Sequence, residues 1–101
     1  MSVKALLEEK LRRAFAPSEL DVVDESARHA GHAGARPEGE THFHIRIVSH
    51  GFDGLSRLQR QRLVHAELAH ELATRIHALS LKALTPHEAE SLVDRVVRRE
   101  L

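Results

Sequence analysis

Apolar positions recur at helical spacing in three parts of the 101-residue chain, and charged residues fill the positions between them. A capping box formed by Ser56 and Gln59 opens the second helical part. The polar run at residues 59–62 interrupts the apolar stripe of that part, so we expect a bend or two successive helices. Thr85 as N-cap and Pro86 at the first helical position open the third part. The predicted helical parts are residues 2–15, 56–73 and 86–101.

Segments rich in β-branched and aliphatic residues predict three short strands, at residues 20–25, 41–49 and 76–84. The second strand alternates most clearly, with Phe43, Ile45 and Ile47 on one face and His42 and His44 on the other. We expect the first face to be buried in the core. The spacing of these two histidines, roughly 7 Å along the strand, could hold zinc. No third ligand accompanies them, however, so we expect them to lie on a solvated sheet face.

The order of these elements, α-β-β-α-α-β-α, predicts an α+β fold: a three-stranded sheet with helices packed on one face. The first two strands should form an antiparallel hairpin, and the third arrives after a helical crossover. A length of 101 residues fits one domain, residues 1–101. The connection at residues 26–40 carries three glycines and is long for a hairpin, which makes it a candidate functional loop.

The composition excludes several classes of protein. The chain has nine histidines, no cysteine, and 15 basic against 15 acidic residues, which gives a formal net charge of +0. Without thiols it has no disulfide and no cysteine nucleophile, and no hydrolase or phosphate-loop motif is present. We therefore expect a protein that is not an enzyme. No apolar stretch is long enough to span a membrane, and Glu8 and Glu9 argue against a signal peptide, so a cytoplasmic location is the expectation.

A series of short segments resembles the BolA family, and their order and spacing are together specific. The resemblance runs from the first helix to Pro86 and implies a fold like that of class II KH domains. Many members have Arg-His-Arg where this chain has Gln61 between two arginines, so any role of that middle histidine does not transfer. The matching segments are Val22-Val23-Asp24-Glu25-Ser26, Arg28-His29, Gly39-Glu40-Thr41-His42-Phe43, Ile47-Val48-Ser49, Phe52-x-Gly54-x-Ser56, Arg60-x-Arg62-Leu63-Val64, Ile76-His77-Ala78-Leu79-Ser80-Leu81 and Thr85-Pro86.

The resemblance implies a partner and a cofactor. Members of the family pair with monothiol glutaredoxins and share a bridging 2Fe–2S cluster, with roles in iron–sulfur trafficking or iron regulation. Two histidines can replace two cysteines on one iron of such a cluster, and the partner's cysteine and glutathione would supply the thiolates. The family's near-invariant histidine matches His77, and its loop ligand matches His29. His32 lies three residues further along the same glycine-rich loop and stays an alternative to His29.

Three other interpretations stay open, and the simplest is a protein-interaction module that binds no metal. His77 could be a structural histidine packed beside Leu79 and Leu81, which would be the default without the family resemblance. Some family members are also described as transcriptional regulators tied to stress and cell shape, which suggests DNA as an alternative partner. The candidate contacts to DNA are the arginines around the second helical part, Arg46, Arg57, Arg60 and Arg62. The few aromatic residues argue against base stacking.

Overall fold

The computed structural model describes residues 2–26 and 41–91. All six predicted elements are present in that part of the chain, and the predicted helical part at residues 56–73 is two helices that meet at Leu68. The predicted loop and the end of the last helix lie largely outside the described residues. The elements are α1 (Val3–Phe15), β1 (Glu19–Asp24), β2 (His42–Val48), a 3₁₀ turn (His50–Phe52), α2 (Arg57–Glu67), α3 (Ala69–Thr74) and β3 (Ala78–Leu84), followed by helical residues 86–91.

The sheet confirms the predicted topology. Its strand order is β1-β2-β3, so β2 is the central strand. The first two strands pair antiparallel, with Asp24 opposite Phe43. The last two pair parallel, with His42 opposite Ala78 at one end and Val48 opposite Leu84 at the other. The parallel pairing brings the beginnings of β2 and β3 side by side, and this juxtaposition places the histidines discussed below.

The hydrophobic core lies between one face of the sheet and the helices, as predicted. Phe43, Ile45 and Ile47 of β2 are buried and belong to one cluster with the apolar residues of α1 and α2. The rings of Phe15 and Phe52 lie 5.1 Å apart and close the end of this core. The other members of the cluster are Val3, Leu7, Leu11, Val22, Phe52, Val64, Leu68 and Ile76. No helix within residues 2–26 and 41–91 combines the length and apolar character that a membrane crossing would require.

A buried ion pair links α1 to α3. The ammonium group of Lys10 donates to both carboxylate oxygens of Glu71 at 2.9 Å, and Glu71 is only 1% exposed. Burial by itself raises the pKa of Glu71, but hydrogen bonds from Lys10 and from the backbone outweigh it and leave the pKa below its ordinary value. The carboxylate of Glu71 therefore stays ionised at neutral pH despite its burial, beside a Lys10 side chain that is 31% exposed.

A second ion pair joins α2 to the start of the last helix. Arg60 donates to the Glu88 carboxylate and to the backbone carbonyls of Leu55 and Ala83. Glu88 also accepts from the backbone N–H of Thr85. The Arg60 guanidinium, together with the bond from Thr85, lowers the pKa of Glu88 from 4.5 to about 2.

We expect acid to weaken the fold through this pair. Because the folded-state pKa of Glu88 is depressed, its contribution to stability is present above the ordinary pKa and is lost as pH falls toward about 2. Glu88→Gln should lower the free energy of unfolding by about 1 kcal/mol at neutral pH, since the side chain is 43% exposed and partly screened. Urea unfolding of the wild type and of Glu88→Gln should show that their difference in unfolding free energy disappears as pH falls toward about 2.

The exposed Glu90 offers a matched control in the same helical segment. Glu90→Gln should leave the free energy of unfolding at neutral pH unchanged, because the Glu90 side chain is exposed. The wild type and Glu88→Gln could instead differ in unfolding free energy by the same amount at every pH down to about 2. Both proteins would then bind the same number of protons on unfolding, which would contradict a depressed pKa of Glu88.

Candidate metal centre

His77 is an exposed histidine at the bend that precedes β3. Its backbone N–H donates to the carbonyl of Thr41 at 2.7 Å, which fixes the bend against the start of β2. Its ring contacts the ring of His42, with the centroids 5.2 Å apart and the planes tilted by 50°. His77 is therefore not a buried core histidine, and its ring is open to a ligand or a partner.

The sequence pattern did not predict the burial of His42. Strand alternation does set it apart from Phe43, but its side chain is buried, with 6% exposed, and not solvated. Its Nδ1 lies 2.9 Å from the hydroxyl oxygen of Thr41. Its backbone carbonyl accepts a hydrogen bond from the backbone N–H of Glu25 at 2.7 Å. The expectation of a solvated face was therefore wrong for His42, because it considered β2 without the adjacent start of β3.

Ser26 and Thr41 close the base of the long predicted loop. Both are buried, and the Ser26 hydroxyl oxygen accepts the backbone N–H of Thr41 at 2.9 Å and that of His42 at 3.3 Å. Since the Thr41 carbonyl also accepts from His77, one hydrogen-bonded cluster joins the loop base to the candidate ligand. The two loop candidates, His29 and His32, lie outside the described residues.

The described part of the chain does not form a metal site by itself. Within residues 2–26 and 41–91, no group of three or more histidine, cysteine, aspartate or glutamate side chains could hold an ion. An iron–sulfur cluster shared with a partner would need fewer ligands from this chain, because the partner's thiolates would leave only two positions for imidazoles. His77 fits as the first of them, since its ring is exposed and no hydrogen bond to it is present among the described residues.

The other histidines lie away from this cluster or are otherwise engaged. His44 bonds the hydroxyl of Ser80 at 3.0 Å across the β2–β3 pair. His50 follows the opposite end of β2 and bonds Asp53 at 3.0 Å. His65, His70 and His87 are exposed, as predicted.

The four arginines proposed for DNA fall into two kinds. Arg60 and Arg46 make ion pairs within the chain, with Glu88 and Glu19 respectively. The side chain of Arg60 is only 11% exposed, so this residue serves the fold. Arg57 and Arg62 are exposed and remain the candidates for an external anion.

A polar cleft of about 450 Å³ lies along the exposed edge of β3. The residues that line it include Arg57 and Gln61 of α2, Lys82 of β3, His44 of β2 and Glu88 of the last helix. The bond from Arg60 to the Ala83 carbonyl occupies one acceptor on this edge. The cleft therefore offers cations to a ligand but includes a carboxylate as well.

Comparison with known proteins identifies the family. Residues 11–88 match the family model for BolA-like proteins, and the chain belongs to this family. It is 47% identical over 87 residues to protein BOLA1, chloroplastic, of Arabidopsis thaliana, covering 84% of this chain and 54% of that protein. It is 46% identical over 96 residues to the DNA-binding transcriptional regulator BolA of Escherichia coli, covering 95% of this chain and 88% of that protein.

Solved structures confirm the fold. The BolA domain of SufE1 from Arabidopsis thaliana aligns with a TM-score of 0.78 at 45% identity, covering 87% of this chain and 96% of that one. BolA1 from Mus musculus aligns with a TM-score of 0.74 at 44% identity, covering 88% and 69%. The chain spans 54% and 58% of the first two curated relatives, BOLA1 of Arabidopsis thaliana and BolA-like protein 1 of Pongo abelii.

Proposed function

We propose that this protein is a non-enzymatic adaptor that binds a monothiol glutaredoxin and shares a bridging 2Fe–2S cluster with it, in iron–sulfur trafficking or iron regulation. Its own ligands would be His77 and one histidine of the loop, His29 or His32. The partner's cysteine and glutathione would supply the thiolates that a chain without cysteine lacks. When bound, such a cluster supplies an exchangeable, redox-active iron–sulfur unit.

The observation that supports this proposal most directly is the position of His77. Its exposed ring stands beside the base of the histidine-bearing loop, because its backbone N–H and the loop end at Thr41 are joined by a hydrogen bond. A partner that approaches this end of the sheet would meet His77 beside Ser26 and Thr41, the two residues between which the loop runs. The residues that do this match the family segments, and the family itself is established for this chain.

Reconstitution with iron, sulfide and glutathione tests the proposal. The chain alone should yield no stable visible chromophore, whereas a mixture with a monothiol glutaredoxin should yield a 2Fe–2S spectrum on a one-to-one heterodimer. Size-exclusion chromatography with absorption detection measures both properties together. A glutaredoxin that keeps its cluster as a homodimer in the presence of this chain would argue against the proposal.

The loop ligand is resolved in the same experiment. Of His29→Ala and His32→Ala, one variant should lose the cluster and the other should retain it, because only one further imidazole is needed. Retention in both single variants and in the double variant would leave His77 without a loop partner and overturn the ligand set.

The second candidate is DNA binding, favoured by the Escherichia coli relative named as a DNA-binding transcriptional regulator and by the exposed Arg57 and Arg62. Gel-shift titration at several salt concentrations separates the two functions. Sequence-selective binding at physiological salt that Arg57→Ala and Arg62→Ala remove would favour this candidate. Arg60 is unsuitable for the test, since its loss would disturb the fold.

A further inference from the structure

We propose that His42 is a positioning residue for His77: its buried ring holds the exposed ring of His77 in the orientation in which that ring would meet iron. The inference rests on the proposed function for the meaning of His77. What it claims physically is that the His77 side chain is held in one rotamer. That order is a property of this chain alone and can be measured without the cluster.

His42 is itself held firmly. It is 6% exposed, its Nδ1 lies 2.9 Å from the Thr41 hydroxyl oxygen, and its backbone N–H donates to Ser26. Thr41 is buried in turn and is tied to Ser26 through its own N–H. The His42 ring therefore presents a fixed surface at the point where β2 and β3 begin.

The ring of His77 has less to hold it. A metal-binding histidine is ordinarily oriented by a hydrogen bond to its second ring nitrogen. No such bond reaches His77 from residues 2–26 or 41–91, although its backbone is anchored to Thr41. What the ring does contact is His42, at a centroid distance of 5.2 Å and a tilt of 50°, within the range of favourable aromatic pairs. Among the described residues, this ring contact is what can orient the His77 side chain.

The geometry also argues that His42 is not itself a ligand. Its side chain is buried and one ring nitrogen is engaged by Thr41, whereas His77 is exposed beside it. An iron held by a partner would meet the exposed ring of His77 and leave the bond between His42 and Thr41 in place. In this proposal His77 binds the iron and His42 positions the ring of His77.

Two variants of similar size separate ring contact from simple filling of space. His42→Phe keeps a planar ring against His77, and His42→Leu fills the site without one. In the chain alone, three-bond NMR couplings of His77 should report one dominant side-chain rotamer in the wild type and in His42→Phe. His42→Leu should lower the ratio of major to minor rotamer by about fivefold, in line with the strength of an aromatic pair.

The mixed complex with glutaredoxin gives the second readout. Cluster loss, followed by visible absorption, should be about fivefold faster in His42→Leu and within about twofold of wild type in His42→Phe. Thermal unfolding midpoints of the two variants should be similar, since a purely structural role would follow stability and not ring shape. Rescue by phenylalanine is what a positioning role predicts.

Three results would overturn the inference. Unchanged His77 rotamers in His42→Leu would show that the contact does not orient the ring. Equal averaging of the His77 rotamers in His42→Phe and His42→Leu would show that a planar ring at position 42 is not what orients His77. Complete loss of the cluster in His42→Phe, with His77 still ordered, would make His42 a ligand. If the wild type forms no cluster with the partner, the proposed function fails, while the couplings still decide the positioning role.

Discussion

Replacing His77 with alanine should remove the 2Fe–2S cluster from the complex with glutaredoxin while leaving the chain folded. The ring is exposed, so its loss opens no cavity, and alanine keeps the backbone N–H that donates to Thr41. Loss of a residue that only supports a metal ligand costs about 10–100-fold in affinity, and loss of a ligand should cost more. Visible absorption after reconstitution and far-ultraviolet circular dichroism measure the two properties separately.

His50→Ala is a suitable control because His50 is also exposed but follows the opposite end of β2. It should leave both the cluster spectrum and the fold unchanged. An intact spectrum in His77→Ala would refute ligation by His77, and a collapse of the circular dichroism signal would show that the residue is structural.

Cysteine at the same position sharpens the test. In a chain that has no other cysteine, His77→Cys introduces a single thiolate at the proposed ligand position. The cluster should form again, with a lower reduction potential, because a thiolate brings negative charge where the imidazole brought none. Equal potentials in the wild type and His77→Cys would mean that the residue does not touch the iron.

Local patterns predict most of this fold. The helix-start signals at Ser56 and Thr85 both operate as expected, since each side chain accepts from the backbone three residues later. Alternation in β2 correctly assigns Phe43 and Ile47 to the core. The break at Leu68 was left open between a bend and two helices, and the structure has two helices at that point.

The site required information that no single segment contains. Alternation along β2 considers His42 alone, whereas its ring contact is with His77, a residue 35 positions later. Parallel pairing of β2 with β3 aligns His42 with Ala78, and this register depends on the helical crossover between them. Recognising that the two strands begin together would have placed both histidines side by side. The family resemblance pointed to His77 but not to His42.

Charge pairing across the core was missed for the same reason. Lys10 lies among charged residues of α1 that the periodicity assigns to solvent, and Glu71 belongs to a short helix of mixed composition. Only the packing of α1 against α3 makes them partners, 61 residues apart. A periodic pattern indicates which face of a helix is polar, but not what that face meets.

Removing one partner of this pair is the stability change with the largest expected effect. Lys10→Met keeps the length of the side chain but leaves the Glu71 carboxylate, 1% exposed, without its cation. Breaking a buried pair in this way costs about 3 kcal/mol of unfolding free energy. Replacing both residues, as in the double variant Lys10→Met with Glu71→Met, should recover most of the loss, because no buried charge then remains. Urea unfolding at neutral pH measures all three proteins.

The dependence on pH should change sign in the single variant. In the wild type the folded-state pKa of Glu71 is lowered, so its contribution to stability is present above the ordinary pKa and is lost as pH falls. In Lys10→Met the hydrogen bond and charge of Lys10 are gone. Burial, the largest contribution, then opposes only the backbone hydrogen bond and the charge of His70, so the folded-state pKa should rise above the unfolded one. Acid should then narrow the stability gap between Lys10→Met and the double variant, since protonation neutralises the stranded carboxylate. A gap that widens in acid would show that Lys10 is not what holds Glu71 ionised in the core.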